Sequence, residues 1–298
     1  MITVFGSLNV DLVSRVVAIP KPGETVHGSD LQLIPGGKGA NQALAARRAG
    51  AKVKMIGVIG DDSVAGVALQ ELEPAGVDLS AVRRRHGTTG VAIITVDQKG
   101  ENTIVVSPGA NAEARASQIA AGALNKGDTL LLQMEVPLAE TLAAAKAGKA
   151  AGATVVLSLA PFSPLSAEQL APVSTLIVNE HEAADFAGAL GLKAGDAEAT
   201  VKGLADKLGL TVIATLGPEG AIAAGKAGVV RVSAIPVKPV DTTGAGDTFA
   251  GVLSAWLDQG ADLATAMKFA AIAGSLACTR EGAQPSFPRR AEIEAAAR

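Results

Sequence analysis

Val240-Asp241-Thr242-Thr243-Gly244-Ala245-Gly246-Asp247-Thr248-Phe249 sets a glycine- and threonine-rich loop between two regular elements. The β-rich run 229–237 precedes it and predicts a strand. Phe249, Val252, Leu253, Trp256 and Leu257 follow at the spacing of one apolar helix face. The loop therefore opens onto a helix N-terminus, where backbone N–H groups lack partners and partial positive charge gathers. Gly244 and Gly246 have no side chain to keep an oxyanion from those groups. Asp247 stands where an anion would bind, which suits a base acting on a hydroxyl beside that anion. Asp247 and Thr248 equally suit a helix cap, with the glycines turning the chain.

Outward from this loop, strand and helix patterns alternate. Strands are expected at 53–60, 129–133, 154–159, 176–178 and 211–216. Helices are expected at 64–73, 141–151, 183–190, 197–208, 264–277 and 289–297. This order predicts a mostly parallel sheet covered on both faces. Polar residues recur at the C-terminal strand ends: Asn9 with Asp11, Glu135, Asn179 and Thr215. In open α/β sheets that edge binds ligands. Asn9 and Asp11, at the end of the first strand, alternate and so share a side. Such a pair either binds a polyol or makes a turn.

A second glycine loop, Pro35-Gly36-Gly37-Lys38-Gly39-Ala40-Asn41-Gln42-Ala43, also opens onto a helix. Its spacing differs from a Walker A loop. Lys38 and Asn41 fall on the first turn, either donating to ligand hydroxyls or standing in solvent. The runs 91–96 and 102–106, joined at 97–101, read as a hairpin that interrupts the alternation. With the irregular stretch 18–35 it would form a separate small sheet, a lid.

The composition limits the alternatives. A chain of 298 residues that is 48% hydrophobic suits one large domain. With 34 glycines and 2% aromatics, its core must be built from small residues in close contact. A net charge of −3 without like-charge blocks gives no nucleic-acid footprint, and so few aromatics give no base-stacking platform. Cys278, the single cysteine, forms no internal disulfide and reads as a small core residue. His27, His86 and His181 are scattered, without metal-ligand spacing. Lys146, Lys149 and Lys268 interrupt the apolar stretches, so no membrane span is expected, and the cytoplasm is the expected compartment.

The two glycine loops resemble the signatures of the ribokinase-like (PfkB) family of carbohydrate kinases, the first at 36–43 and the second at 241–249. Ser7-Leu8-Asn9-Val10-Asp11, Pro22-Gly23-Glu24-Thr25-Val26, Leu132-Gln133-Met134-Glu135 and Thr279-Arg280-Glu281-Gly282-Ala283-Gln284-Pro285-Ser286 carry the resemblance along the chain. It implies an α/β fold: a three-layer αβα sandwich with a mostly parallel sheet and a small β-sheet lid. One domain would span 1–298, with the lid drawn from about 13–35 and 88–107. It also implies ATP-dependent phosphoryl transfer to a sugar, ribose foremost, and a homodimer formed through the lid.

By the same resemblance Asp247 is the base, and the N–H groups of Gly244, Ala245 and Gly246 form the anion hole. One such donor is worth about 3 kcal/mol. Asn9, Asp11, Gly37, Lys38, Asn41, Glu135 and Asp247 would contact the sugar. Asn179, Thr215, Gly217, Gly220 and Gly246 would bind the nucleotide, and Glu182 would hold Mg²⁺ through water. An activating K⁺ would be ligated by the side chains of Asp241 and Ser286 and the carbonyls of Thr243, Ala277, Arg280 and Gly282.

Two departures stand out. Ser158-Leu159 replaces an Asn-Pro pair usual in the family, and Ala271 stands where some members carry a histidine near adenine. Other acceptors remain open: deoxyribose, fructose, a sugar phosphate or a nucleoside. So does a catalytically silent sugar-binding protein on this fold. The lid segment 18–35 holds no aromatic residue to clasp a base, which favours a free sugar.

Overall fold

In the computed structural model, which describes residues 1–120, 122–193 and 195–298, the chain starts in a strand buried at every position, β1 (Ile2–Phe5). There follow β2 (Asn9–Arg15), β3 (Gln32–Gly36), α1 (Lys38–Arg48), β4 (Val53–Ile59), α2 (Ala65–Leu69), α3 (Leu72–Ala75) and β5 (Asp78–Arg84). Next come β6 (Gly90–Val96), β7 (Asn102–Ser107), β8 (Thr129–Leu132), α4 (Leu138–Ala150), β9 (Thr154–Ser158), α5 (Ala167–Leu170), β10 (Thr175–Asn179) and α6 (Glu180–Ala189). The chain closes with α7 (Ala197–Leu208), β11 (Thr211–Thr215), β12 (Ala221–Gly225), β13 (Gly228–Val232), α8 (Ala245–Asp258), α9 (Leu263–Ala277) and α10 (Arg290–Ala296).

Nine strands form the main sheet in the order β13-β12-β11-β10-β9-β8-β1-β4-β5. It is parallel from β11 to β5, with β12 and β13 antiparallel at one edge. Strands facing helices on both sides must bury alternate residues into two cores, and these do. Leu131 and Ile177 join the core of α1, α8 and α9, while Leu130, Leu132, Leu176 and Val178 join that of α4, α6 and α7. The three-layer αβα sandwich expected from the sequence is therefore present. β1 lies between β8 and β4, so the strand order reverses beside it, and the crevice at its C-terminal end is where such sheets hold ligands.

A second sheet, β3-β2-β6-β7, stands beside this crevice as the lid. β2 and β6 pair in parallel with Asn9 opposite Gly90, and hairpin partners flank them. Small residues set the helix spacing. A Cβ on Gly251 of α8 would fall 2.5 Å from the Gln42 carbonyl of α1, so the two backbones meet almost directly.

Several expectations change. Asn9 and Asp11 lie on β2 in the lid sheet rather than at the end of β1, because Gly6–Leu8 carries the chain from one sheet to the other. The strand expected at 229–237 stops at Val232, and Pro236 and Pro239 beyond it have no N–H for a ladder. The helix expected at 64–73 is broken into α2 and α3. β5 escapes a hydrophobic reading because it is an edge strand with mostly exposed or half-buried positions. Cys278 is half-buried at the end of α9, outside the core, and lines a cavity. Among the described residues no helix is long and apolar enough to cross a membrane.

Candidate active site

Both glycine loops end at the same crevice. Gly244 caps α8 in the left-handed region at φ 77°, and a Cβ there would strike the Phe287 ring at 2.7 Å. Both conditions require glycine. The N–H groups of Gly244 and Gly246 find no acceptor among the described residues, whereas Ala245 donates to the Thr242 carbonyl at 3.2 Å. Open space lies where a Cβ on Gly246 would be. The start of α8 is thus a vacant set of donors with the dipole behind it.

Asp247, in the first turn of α8, is 7% exposed. Its carboxylate is met by two amides from α1. Asn41 Nδ2 donates to Oδ2 at 2.9 Å, and Gln42 Nε2 donates to Oδ1 at 2.9 Å. Asn41 and Gln42 are adjacent on α1, so the helix crossing delivers both donors together. The structure therefore uses the Asn41 amide on Asp247, a contact that the sequence reading, which aimed it at a sugar, did not foresee. Asp247 makes no capping bond to the start of α8; its carboxylate is buried, held by the two amides and set beside the unpaired N–H groups.

The other end of the crevice is built by close backbone approach. Gly37 caps α1 at φ 88°, and a Cβ there would meet the Asn9 nitrogen at 2.7 Å. A Cβ on Gly36 would overlap the Asp11 carboxyl at 2.5 Å. The glycine loop thus presses onto β2 and brings Asn9 and Asp11 next to Lys38. Glu135, just after β8, accepts from Ser7 Oγ at 2.6 Å and from the Lys38 N–H at 3.0 Å, both through Oε2. Asn111 Nδ2 donates to Asn9 Oδ1 at 2.7 Å, so Asn9 offers its NH₂ to a ligand.

Electrostatics tie these groups together. Asp247 foremost raises the Lys38 ammonium above its ordinary value, outweighing burial, with Glu135, Glu182 and Asp11 adding to it. Burial, then the like charges of Glu135 and Asp247, push the Asp11 carboxyl up to about 7, against the pull of Lys38.

Two cavities continue from Asp247. The smaller, about 170 Å³, is lined by Lys38, Ser158, Asn179, Glu182, Gly244, Gly246 and Asp247, among others. Asn179 and Glu182 form a capping box on α6: Asn179 Oδ1 accepts from the Glu182 N–H, and Glu182 Oε2 from the Asn179 N–H, each at 2.8 Å. Burial raises Glu182 above the usual carboxylate range, against the Asn179 N–H and Lys38. The larger cavity, about 560 Å³, holds Thr215, Gly217, Gly220, Phe249 and Ala271 on its wall. Thr215 and Gly246 border both, so the two form one path.

Asp241 accepts from the Thr243 N–H and the Gly282 N–H, both at 2.9 Å. Burial alone would raise its carboxyl, but these hydrogen bonds outweigh it and hold it below its ordinary value. It is thus an anion that draws together the two segments named for a cation. Ser286 is fully buried nearby in sequence to Gly282, its hydroxyl donating to the Ala283 carbonyl at 2.8 Å and leaving its lone pairs free to ligate. Gln42, Ser7, Asn111, Gln133 and Gln284 went unassigned in the sequence. The signal for Gln42, Ser7, Gln133 and Gln284 was their place in the segments that carry the family resemblance; Asn111 is recognisable only by its contacts.

Residues 1–290 match the pfkB family carbohydrate kinases. The chain is 37% identical to a ribokinase of Schizosaccharomyces pombe, over 98% of this chain and 96% of that one. Its fold is similar to ribokinase from Thermotoga maritima, with a TM-score of 0.92, 34% identity and coverage of 99% and 98% of the two chains. It is also similar to Arabidopsis thaliana ribokinase complexed with ribose and ATP, with a TM-score of 0.89, 30% identity and coverage of 100% and 98%.

Asp11 gives a pH test of this electrostatic picture. The folded chain holds its proton more tightly than an unfolded chain, whose carboxyl ionises near 3.8. The contribution of Asp11 to stability is therefore complete below that pH, falls as the pH rises to about 7, and is level above. Asp11→Asn is expected to leave the unfolding temperature near wild type at pH 4 and to stabilise the protein at pH 8, on the order of 2 kcal/mol. Thermal scans at the two pH values check this; equal shifts at both would overturn it.

Proposed function

This chain belongs to the pfkB family of carbohydrate kinases, phosphotransferases acting on a sugar hydroxyl, and we propose that it transfers the γ-phosphoryl group of ATP to the terminal hydroxyl of ribose, giving ribose 5-phosphate and ADP. The observation that carries this reading is the buried Asp247 carboxylate beside the vacant Gly244 and Gly246 N–H groups, where the path from the large cavity meets Lys38. A base, an anion-binding helix start and a nucleotide-sized cavity in one line are the parts that phosphoryl transfer needs.

Asp247 takes the proton of the attacking hydroxyl. Gly244 and Gly246, joined by Ala245 once Thr242 releases its N–H, hold the charge on the transferring phosphoryl oxygens. Lys38 adds its positive charge on the same side. Asn9, Asp11, Lys38 and Glu135 face the sugar hydroxyls, with the Gly37 turn beneath them. Asn41 serves the sugar through its hold on Asp247. Thr215, Gly217 and Gly220 border the nucleotide, with Asn179 toward its phosphates.

The carboxylate of Glu182, with one oxygen outside its capping contact, suits Mg²⁺ through water, and the metal would supply charge neutralisation on the phosphates. The Asp241 anion, the Ser286 hydroxyl and the carbonyls of Thr243, Ala277, Arg280 and Gly282 suit K⁺, which would stiffen the loop that presents Gly244. Exposed Ile104 and Val106, on one face of β7, support a homodimer closed lid to lid. A requirement for ATP supports a cytoplasmic site of action.

Asp247→Asn is expected to lower turnover at least about a hundredfold while ribose binding survives. ADP release with ribose and calorimetric ribose binding measure the two, and turnover within tenfold of wild type would remove Asp247 as base. Replacing K⁺ by Na⁺ is expected to slow ADP release several-fold, roughly; an unchanged rate would remove the ion from the mechanism. Ile104→Glu with Val106→Glu is expected to halve the solution mass measured by light scattering. A wild-type protein already monomeric at micromolar concentration would reject the dimer.

A further inference from the structure

Two glutamines that the reaction above does not use stand behind its base. Gln42 and Gln133 are both 0% exposed. Gln42 Nε2 donates to Asp247 Oδ1 at 2.9 Å, and Gln133 Nε2 donates to Gln42 Oε1 at 2.7 Å. A carboxylate only accepts, so Gln42 must turn its NH₂ toward Asp247 and its oxygen away. Gln133 must then turn its own NH₂ toward that oxygen. The direction of both amides is thus set by the charge at one end. The consequence appears at the other end: Gln133 Oε1 is buried without a partner among the described residues, against Gly6.

The opposite carboxylate oxygen repeats the pattern. Asn41 Nδ2 donates to Oδ2, Gln284 Nε2 donates to Asn41 Oδ1 at 3.1 Å, and Gln284 Oε1 is also buried without a partner. Two chains of amides therefore point their donors at one carboxylate, and each leaves an orphan oxygen at its far end. Buried acceptors are seldom left unpaired where a rotated amide would pair them. Here rotation would set an amide oxygen against the charge of Asp247.

We propose that Gln42, oriented by Gln133, is a positioning residue for the Asp247 base: the relay fixes the plane of the carboxylate so that one of its two remaining lone pairs faces the attacking hydroxyl. This rests on the kinase reading above. The relay acts on the reacting geometry more than on sugar affinity, because among the described residues neither glutamine hydrogen-bonds Asn9, Asp11 or Glu135. Gln133 belongs to the segment that carries Glu135, and Gln42 to the helix that carries Lys38. The base is thus tied to the same two segments that hold the sugar.

The experiment is a double-mutant cycle with Gln42→Met and Gln133→Met, which keep side-chain length and remove the amides. For each protein, kcat and KM with ribose and ATP, the ribose Kd by calorimetry and the unfolding temperature are measured. Gln42→Met is expected to lower kcat about ten- to a hundredfold with the ribose Kd within about threefold. Gln133→Met is expected to lose less, and the double variant to match Gln42→Met within about twofold, because a relay loses its function once. Losses that multiply in the double variant, a kcat of Gln42→Met within twofold of wild type, or an effect confined to Kd would each overturn the relay. Should Gln42→Met fail to fold, Gln133→Met decides alone: lower kcat at unchanged ribose Kd supports the relay, and unchanged kcat rejects it. Wild-type protein inactive on every sugar would reject the kinase reading itself, whereas active wild type with an unaffected Gln42→Met rejects only the relay.

Discussion

A buried carboxylate needs hydrogen-bond donors in place of the water it has lost. Asp247 obtains them from α1, and that single requirement ties much of the molecule together. For the Asn41 and Gln42 amides to reach α8, the two helices must cross at near backbone contact, which Gly251 permits. For α1 to point that way, its start must be seated on β2 and Ser7, which Gly37 and Gly39 permit. Small residues, abundant throughout the chain, are the condition for placing a charged group inside it.

α1 also reaches the opposite side of the site. At its C-terminal end Arg48 donates to the carbonyls of Gln284 at 2.6 Å and Phe287 at 3.0 Å. Phe287 packs where a Cβ on Gly244 would go, and Gln284 holds Asn41. One helix therefore carries Lys38, holds the Asp247 carboxylate and clamps the segment behind the Gly244 turn. Asp241 links that segment to the loop before α8 through its bond to Gly282. Rigid elements bracing a catalytic group on several sides are the means by which a site keeps its geometry between turnovers.

The charges gathered there are balanced only in part. Asp11, Glu135, Asp247 and Glu182 act on one ammonium, Lys38; burial foremost, then the like charges of Glu135 and Asp247, raises Asp11, while burial raises Glu182. Hydroxyl hydrogens donated by a polyol would satisfy the crowded carboxylates. The electrostatics of the crevice thus suit a ligand rich in hydroxyl donors.

The glycine loops, the strand–helix alternation and the hairpin of the lid were legible in the sequence, because turn chemistry and hydrophobic period are local properties. So were Asp247, Lys38, Asn179 and Glu182, each standing at the end of a strand or the start of a helix. The sheet of Asn9 and Asp11 was not legible, since Ile2 to Val13 reads as one β-rich run; pairing with residues about eighty positions away decided it. The half-exposed position of Cys278 followed from where α9 ends against the cavity. Which amide faces Asp247, and which glutamine faces that amide, depended on contacts 91 to 243 residues apart. The sequence by itself determined which groups the chain offers and which local elements display them. The tertiary structure alone decided which of them meet, because hydrogen bonds inside a buried site are set by helix crossings and strand register that no local pattern encodes.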